Sequence, residues 1–575
     1  MSQTALTILV LVIAAGVAAA GPTRAAVARL LDPLRQPTPR RRGIIALIIF
    51  LGAAVFMLVT AWEQEREFIP KFHDEFMHLL QMRMLAHGRL WTDPHPLADF
   101  FDSFHILAEP VYASIYFPGA ALLYLPGTLL GLPTWVMPLL AASASAALLY
   151  RVVTELIDGV AGLLAAALLV SLSTFRLLSR VVMSHGAIIL LGLVMVLALL
   201  NWRRARSLTW AAALGAVMGW AAITRPVDAL TFAIPVAVAL LLNLRSEPAR
   251  SRQAATLLII IGCAAPFIAL QIVQNVGITG QALETPYQMY AKQDSPGLAL
   301  GFAATSKSGD ALQSPLPQKR LFYDEFLRPE IEQHRLSSIP ATLVNDRLPL
   351  LAHTTLPNAP WLLLLWPALF LARGIWRSAA VLWTMLPLYL LLYASFPFLL
   401  PHYAVVPAPA VICGALLVKR GIEQCFPARL SRGAEVFMTV ALLGLAIAAI
   451  PGIDRETLDD GHLRPTMWFA QKLLPQAVTQ PAIVLFRFTP GDSVHEEPVY
   501  NVDVVNPDDA PIIRAHDLGP QRNAELFDYY ARRQPDRNVY RFVRPRPGEP
   551  LRPPVLLGNV ADLARQFPAT RPASG

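Results

Sequence analysis

Residues 43–61 read GIIALIIFLGAAVFMLVTA, and the polar stretch that follows contains His73-Asp74-Glu75-Phe76-Met77-His78. An uncharged apolar run of this length matches the roughly 20 helical residues that cross a hydrocarbon core. The chain therefore enters a membrane here and then places two adjacent carboxylates just beyond it.

Working outward, similar runs recur near 4–20, 134–152, 160–175, 185–201, 207–223, 229–244, 254–275, 359–372, 378–396, 402–418 and 433–451. The pattern predicts an all-α polytopic membrane protein of about twelve transmembrane helices. Composition agrees. Of 575 residues 55% are hydrophobic and 15% charged, with a mean hydropathy of +0.46. Soluble domains carry about 25% charged residues, so this chain lacks the charge to cover a water-facing surface. Its net charge of +8 is not a nucleic-acid signal, because most arginines sit in short loops between spans. Cys263, Cys413 and Cys425 are too scattered for a disulfide framework. The absence of any Asn-x-Ser/Thr acceptor points to a bacterial membrane.

The basic loops set the orientation. Arg24, Arg29, Arg35 and Arg40–Arg42 lie between the first two spans, and Arg203–Arg206, Arg245–Arg252, Arg373–Arg377 and Lys419–Arg432 alternate with them. All can be cytoplasmic at once, which leaves 62–133, 276–358 and the tail facing outward. A cleaved signal peptide over Met1–Ala20 is the weaker alternative, since that run has no basic n-region. The predicted domains are an anchor and basic cytoplasmic loop (1–42), a membrane core (43–451) with outer loops 62–133 and 276–358, and an extracytoplasmic tail (452–575). In the first outer loop the residues predict a helix over 74–90 ending near Gly88, and an interfacial helix over 119–131. The tail reads as a small α/β module. Strands are predicted at Ile483–Phe488, Pro511–Ala515 and Val539–Val543, a helix near Ala524–Arg533, an interfacial start at Met467-Trp468-Phe469, and a disordered Pro/Arg-rich end.

Several residues could carry chemistry. On a helix, Asp74, His78 and Gln81 share a face, and Glu75 points about 100° away. One carboxylate is thus aimed with that face; the alternative is a pair of solvated loop charges. His73 and His78 are five apart and diverge by roughly 140°, unlike the i,i+4 histidines of a zinc-peptidase helix, so no metal is assigned. Arg176 and Arg180 precede His185, and Arg225 lies in Thr224-Arg225-Pro226-Val227-Asp228. A guanidinium at membrane depth costs about 2.5–3.5 kcal/mol unless partnered. A phosphate is one suitable partner; an Arg225–Asp228 pair is the structural alternative. His402 and Tyr403 occupy a tight outer turn, and Tyr287 lies in Thr285-Pro286-Tyr287-Gln288; each could contact a sugar or simply pack.

With these residues in place the chain resembles the C-type (GT-C) glycosyltransferases, closest in plan to protein O-mannosyltransferases and the bacterial transferases that add aminoarabinose to lipid A. The resemblance covers roughly 43–451. It rests on Asp74-Glu75, on Tyr116-Phe117-Pro118-Gly119 opening a helix that ends at Gly131, on Thr224-Arg225-Pro226, on Asn275 with Thr285-Pro286-Tyr287, and on His402-Tyr403. It implies a polyprenyl-phosphate sugar donor, a glycan, lipid or protein acceptor, an enclosing lipid bilayer and no nucleic acid. Asp74 matches the family's catalytic aspartate and Glu75 its neighbour. Arg180, Arg225 and His402 would hold the donor phosphate, and His78, Tyr287 and Tyr403 would contact substrate. Ser184-His185 stands where many relatives have an aspartate, which puts any donor or metal role of that position in doubt. The reaction that follows is an inverting displacement with Asp74 as base. No general acid is needed, because a polyprenyl phosphate leaves as an anion, and no cofactor is required; no ligand spacing supports a divalent metal. Two other classes stay open: a transporter or flippase of lipid-linked sugars, which calls for paired repeats, and a surface-glycan polymerase or ligase, which fits the long second outer loop.

Overall fold

A computed structural model describes residues 3–245, 249–302, 312–450, 465–489, 491–546 and 549–569. The chain forms two compact units: 1–66 with 135–270 and 336–458, and 67–134 with 271–335 and 459–575.

The first unit is helical and is that of a multi-pass integral membrane protein. Among the described residues six helices are long and apolar enough to cross a bilayer: Pro39–Glu63, Val136–Leu156, Ser184–Ala205, Pro226–Arg245, Arg250–Thr279 and Leu430–Ala449. Ile44, Leu47, Ile48, Leu51 and Val55 of the first of these are half-exposed or more, a surface that only lipid tolerates. Ser184–Ala205 is instead mostly buried and packs against Val136–Leu156, Leu208–Ala222 and Pro226–Arg245. Close approach needs small residues. A Cβ on Gly215 would lie 2.3 Å from the Ile260 carbonyl oxygen, and one on Gly219 2.7 Å from that of Ala264.

Three of the predicted runs differ from helices of full span. Residues 359–372 form 3-10 turns, Pro360–Leu363 and Trp366–Leu371, because Pro360 and Pro367 each remove a backbone donor. Run 402–418 divides into Pro401–Ala404 and Ala408–Cys425. The expected basic loop 22–42 is mostly the helix Gly21–Arg35, bent 93° from the preceding one. Arg35 donates to Glu435 at 2.5 Å. Arg42 and Arg204 both donate to Glu155, at 3.0 and 2.7 Å, so two of the loops read as same-sided meet at one end of the unit. Where about twelve spans were predicted, the described residues hold six single helices, one bent pair, and shorter apolar helices such as Gly159–Ser171, Leu208–Ala222 and Ala380–Tyr393.

The second unit gathers the two long loops and the tail. A two-stranded antiparallel sheet pairs β1 (Ile106–Leu107) with β2 (Ala113–Ser114). A four-stranded sheet has the order β4-β3-β5-β6, built from β3 (Ala482–Arg487), β4 (Ile512–His516), β5 (Asn538–Val543) and β6 (Val555–Asn559). β3 runs parallel to β4 and β5, and β6 antiparallel to β5. Helix Pro520–Arg533 makes the crossover between β4 and β5. Two tail expectations are corrected. Phe469 is buried against Phe542 in the core of this sheet, with ring centroids 4.7 Å apart, and so does not lie at an interface. Residues 555–566, expected disordered, form β6 and the helix Val560–Gln566; 570–575 lie outside the described residues.

Candidate active site

Helix His73–Ala86 carries Asp74 and Glu75 in its first turn, where the helix dipole favours carboxylates. It stops at Gly88, φ +69°, whose N–H donates to the Leu85 carbonyl while Arg89 N–H donates to that of Met84. This left-handed stop is why the helix ends where the glycine stands.

The face predicted from the i, i+4, i+7 spacing grips a single residue, Tyr116. The Tyr116 hydroxyl donates to Asp74 Oδ1 at 2.6 Å. The His78 ring lies 4.9 Å from the Tyr116 ring, and Gln81 Nε2 donates to the Tyr116 carbonyl at 2.5 Å. Gln274, on helix Arg250–Thr279, donates to the same carbonyl at 3.2 Å. Tyr116 directly precedes the helix Gly119–Leu129, which places the quoted Tyr-Phe-Pro-Gly motif beside the acidic pair.

His105 completes the cluster. Its Nδ1 is 3.0 Å from Asp74 Oδ1 and 3.2 Å from the Tyr116 hydroxyl. The β1–β2 register sets this up: Ile115 N–H donates to the His105 carbonyl, so the residues flanking the hairpin are neighbours. His105 has φ +64°, a left-handed conformation that costs about 1–3 kcal/mol in a non-glycine residue and clusters at functional sites. Its N–H donates to the Tyr290 hydroxyl at 3.2 Å. The Asp74 and His105 side chains are 21% and 24% exposed, so the cluster reaches solvent.

Glu75 faces the other way. It is buried and accepts the Lys71 N–H at 3.0 Å, anchoring the segment that leads into the helix. His73 is held by the Tyr500 hydroxyl at 2.9 Å, and Phe76 stacks on the Tyr500 ring. Tyr287 packs with Tyr290 on Leu107, Ala113 and Ile115, under a capping box made by Thr285 and Gln288. Below this cluster Lys319 Nζ bridges Asp102 and Asp294 at 2.6 and 2.7 Å, and His516 Nε2 meets the Asp102 carbonyl at 2.6 Å. Burial acts to lower the Lys319 ammonium, but Asp102, Tyr290 and Asp294 overcome it and hold the group above its ordinary range. Glu497 pairs with Arg544 at 2.6 Å, both 1% exposed. Burial works to raise the Glu497 carboxyl, yet Arg544 and His516 bring it down to about 2.

The first unit holds the other predicted residues. Arg225 donates to Asp228 at 2.5 Å, to Ser184 at 3.2 Å and to the Tyr393 hydroxyl at 3.2 Å, and lies 4.9 Å above the Tyr403 ring. The ring of His185 stacks on Tyr403 at 5.0 Å and meets His402 edge-on at 4.7 Å. Arg180 follows the helix Ser173–Leu178 and is part-exposed. Arg176 is buried and donates to the Ser171 carbonyl at 2.6 Å. Among the described residues no group of three or more His, Cys, Asp or Glu side chains is placed to hold a metal ion.

His105 and Tyr500 are residues of this cluster that sequence reasoning does not single out, and Tyr290, one of the rings of 285–290 that could stack on a sugar, instead meets the His105 N–H. Their contacts depend on chain segments far from the helix, and no spacing announces them.

No family model and no curated protein matches the chain. Among solved structures, the fold is similar to ArnT from Cupriavidus metallidurans in the apo state, with a TM-score of 0.45 and 14% identity over 86% of this chain and 92% of that one. It is similar to the same protein bound to undecaprenyl phosphate, at TM-score 0.45 and 16% identity, over 86% and 93% of the two chains. A third similar structure is the Archaeoglobus fulgidus oligosaccharyltransferase with Zn and sulfate, at TM-score 0.42 and 12% identity, over 86% and 68%.

Proposed function

We propose that this chain is a membrane glycosyltransferase of the GT-C type. It moves a sugar from a polyprenyl-phosphate donor to a hydroxyl of a glycan, lipid or protein acceptor. The observation that carries this reading is the Asp74 carboxylate, which accepts the Tyr116 hydroxyl, lies 3.0 Å from His105 and is partly open to solvent, in an integral membrane protein. A carboxylate so held suits a general base. It takes the proton of the acceptor hydroxyl as that oxygen attacks the anomeric carbon and the polyprenyl phosphate departs with the bonding pair. Glu75 supports this from within the core. For the donor phosphate the candidates are Arg180, Arg225 and His402. Arg225 would have to give up part of its present set of partners to take that role. His78 acts through Tyr116, and Tyr287 and Tyr403 remain candidates for contact with the sugar.

The test uses purified full-length protein in lipid nanodiscs, given a panel of radiolabelled undecaprenyl-phosphate sugars and membranes from a deletion strain as acceptor. Label transfer by the wild type, lost in Asp74→Asn, is expected. Flux of the lipid-linked sugar across liposomes without transfer would favour a transporter and overturn the reading. We place the site and the tail outside a bacterial inner membrane. In a cysteine-free background, Asp99→Cys should react with an impermeant thiol reagent in intact cells and Arg41→Cys should not; the reverse pattern overturns the placement.

A further inference from the structure

We propose that Arg42, Arg151 and Arg204, gathered around Glu155, form a site for the phosphate of an anionic phospholipid at one end of the membrane unit. This rests neither on the reading of Asp74 nor on a sugar donor. It needs only that the unit spans a bilayer.

The three arginines come from three spans. Arg42 opens helix Pro39–Glu63, Arg151 lies near the end of Val136–Leu156, and Arg204 is in the last turn of Ser184–Ala205. Arg42 Nη1 donates to Glu155 Oε1 at 3.0 Å and Arg204 Nη2 to Oε2 at 2.7 Å, while Arg151 Nη2 stands 3.8 Å from Oε1. The Glu155 side chain is 5% exposed and so requires a cation. One would be enough. Three guanidiniums on one carboxylate leave two positive charges over at close quarters. Asp158, the next acid along the chain, accepts the Ala161 N–H at 2.9 Å and, among the described residues, pairs with none of the three. Arg203 and Arg206 flank Arg204 in sequence and add to the excess. Another cluster of the same unit is balanced: Arg35 meets Glu435 and Asp32, and Arg432 lies 3.6 Å from Asp32, two cations for two acids.

Arg151 is the least satisfied of the three. Among the described residues it donates no hydrogen bond, and its Nε is shielded from solvent without an acceptor, as is that of Arg42. The Arg151 and Arg204 side chains nevertheless stay 30% and 61% exposed, so an anion can reach them. The guanidinium fork matches phosphate oxygens in pairs. Depth in the membrane decides the source of that phosphate. Arg42 is followed almost at once by the exposed apolar residues Ile44 and Leu47. Beyond Arg204, helix Leu208–Ala222 starts with Leu208 and Trp210 exposed, and a tryptophan in that position suits the headgroup level. An anion held at this depth is a lipid phosphate rather than a dissolved one.

The test is native mass spectrometry of the delipidated full-length protein, titrated with dioleoyl-phosphatidylglycerol and, for comparison, with zwitterionic dioleoyl-phosphatidylcholine. The wild type should take its first phosphatidylglycerol about fivefold or more tightly than phosphatidylcholine, and Arg151→Gln and Arg204→Gln should each weaken that first binding about fivefold. Arg151 makes only the long pair with Glu155, so Arg151→Gln should fold normally. Glu155→Gln releases all three guanidiniums and should strengthen the first binding, although it lowers the midpoint of thermal unfolding. Arg432→Gln, in the balanced cluster, should leave that binding unchanged within roughly twofold. Equal affinity for the two lipids overturns the proposal, and so does a first binding unmoved in both arginine variants. Unchanged or weaker binding by a folded Glu155→Gln would make the cluster a clamp between helices and overturn it as well. Loss of bound phosphatidylglycerol to equimolar inorganic phosphate would make the occupant a soluble anion and overturn the lipid.

Discussion

Arg225 and Asp74 are both charged groups held by side chains, and they are held in opposite ways. All three guanidinium nitrogens of Arg225 are engaged, by Asp228, Ser184 and Tyr393, and its face is covered by Tyr403. Asp74 accepts the Tyr116 hydroxyl on Oδ1 and has His105 Nδ1 3.0 Å from the same oxygen, with a fifth of its side chain exposed. The first arrangement neutralises a charge where lipid would not tolerate it. The second leaves a carboxylate in contact with solvent. A cation next to an acid three residues away is thus weaker grounds for a binding role than a carboxylate that stays partly exposed.

The largest effect that could break this contrast is chemical. Asp74→Asn keeps the shape and removes the base, and should cut transfer by roughly 10²–10⁴-fold with no loss of folded protein. Near-normal turnover in that variant, with a loss in Glu75→Gln, would show that the wrong carboxylate is assigned. Next comes Arg225. Arg225→Ala leaves the buried Asp228 charge with the Tyr393 hydroxyl but no cation, and should destabilise the protein by about 3 kcal/mol, read as a lowered midpoint of thermal unfolding. Arg225→Met with Asp228→Leu removes both charges and should restore most of that stability. Transfer returning with it would mark Arg225 as structural; a stable but inactive double variant would mark it as a donor ligand.

A third effect concerns acid. Glu497 titrates at about 2 in the folded protein against an ordinary 4.5, because Arg544 and His516 outweigh its burial. A lowered folded value means the stabilisation is complete above about pH 4.5 and is lost as pH falls towards 2. It amounts to roughly 3 kcal/mol. Unfolding followed between pH 6 and 3 should show this loss, and Glu497→Gln should flatten the dependence while lowering stability at neutral pH. The smallest effect is at Gly88. Its left-handed φ leaves open space around a Cβ, so Gly88→Ala should cost only about 1 kcal/mol. A larger cost would mean the helix carrying Asp74 depends on its end as much as on its first turn.

How much of this was legible depended on sequence distance. Helix His73–Ala86 and helix Gly119–Leu129 were readable because Gly88 and Gly131 stop them in left-handed backbone. The i, i+4, i+7 face was readable too, though not that all three side chains converge on Tyr116. Strands β3, β4 and β5 showed as β-branched and aromatic runs. β6 did not, flanked by Pro553-Pro554 and interrupted by Gly558. Residues 359–372 looked like a span by apolar content alone, and their prolines made them turns. Arg225–Asp228 could be weighed from spacing. His105 could not, since it meets Asp74 through a hairpin register, nor could Glu497–Arg544, 47 residues apart.

The contact between His516 and the Asp102 carbonyl joins residues 414 positions apart. A ribosome adding 5–20 residues per second makes the second partner roughly 20–80 s after the first. Throughout that interval Asp102 and the hairpin beside it must wait without the strand that will cover them. Residues 67–134 therefore lack that partner until translation is nearly complete. A chain stopped before β4 would carry every residue of the Asp74 cluster and still lack what packs beneath it.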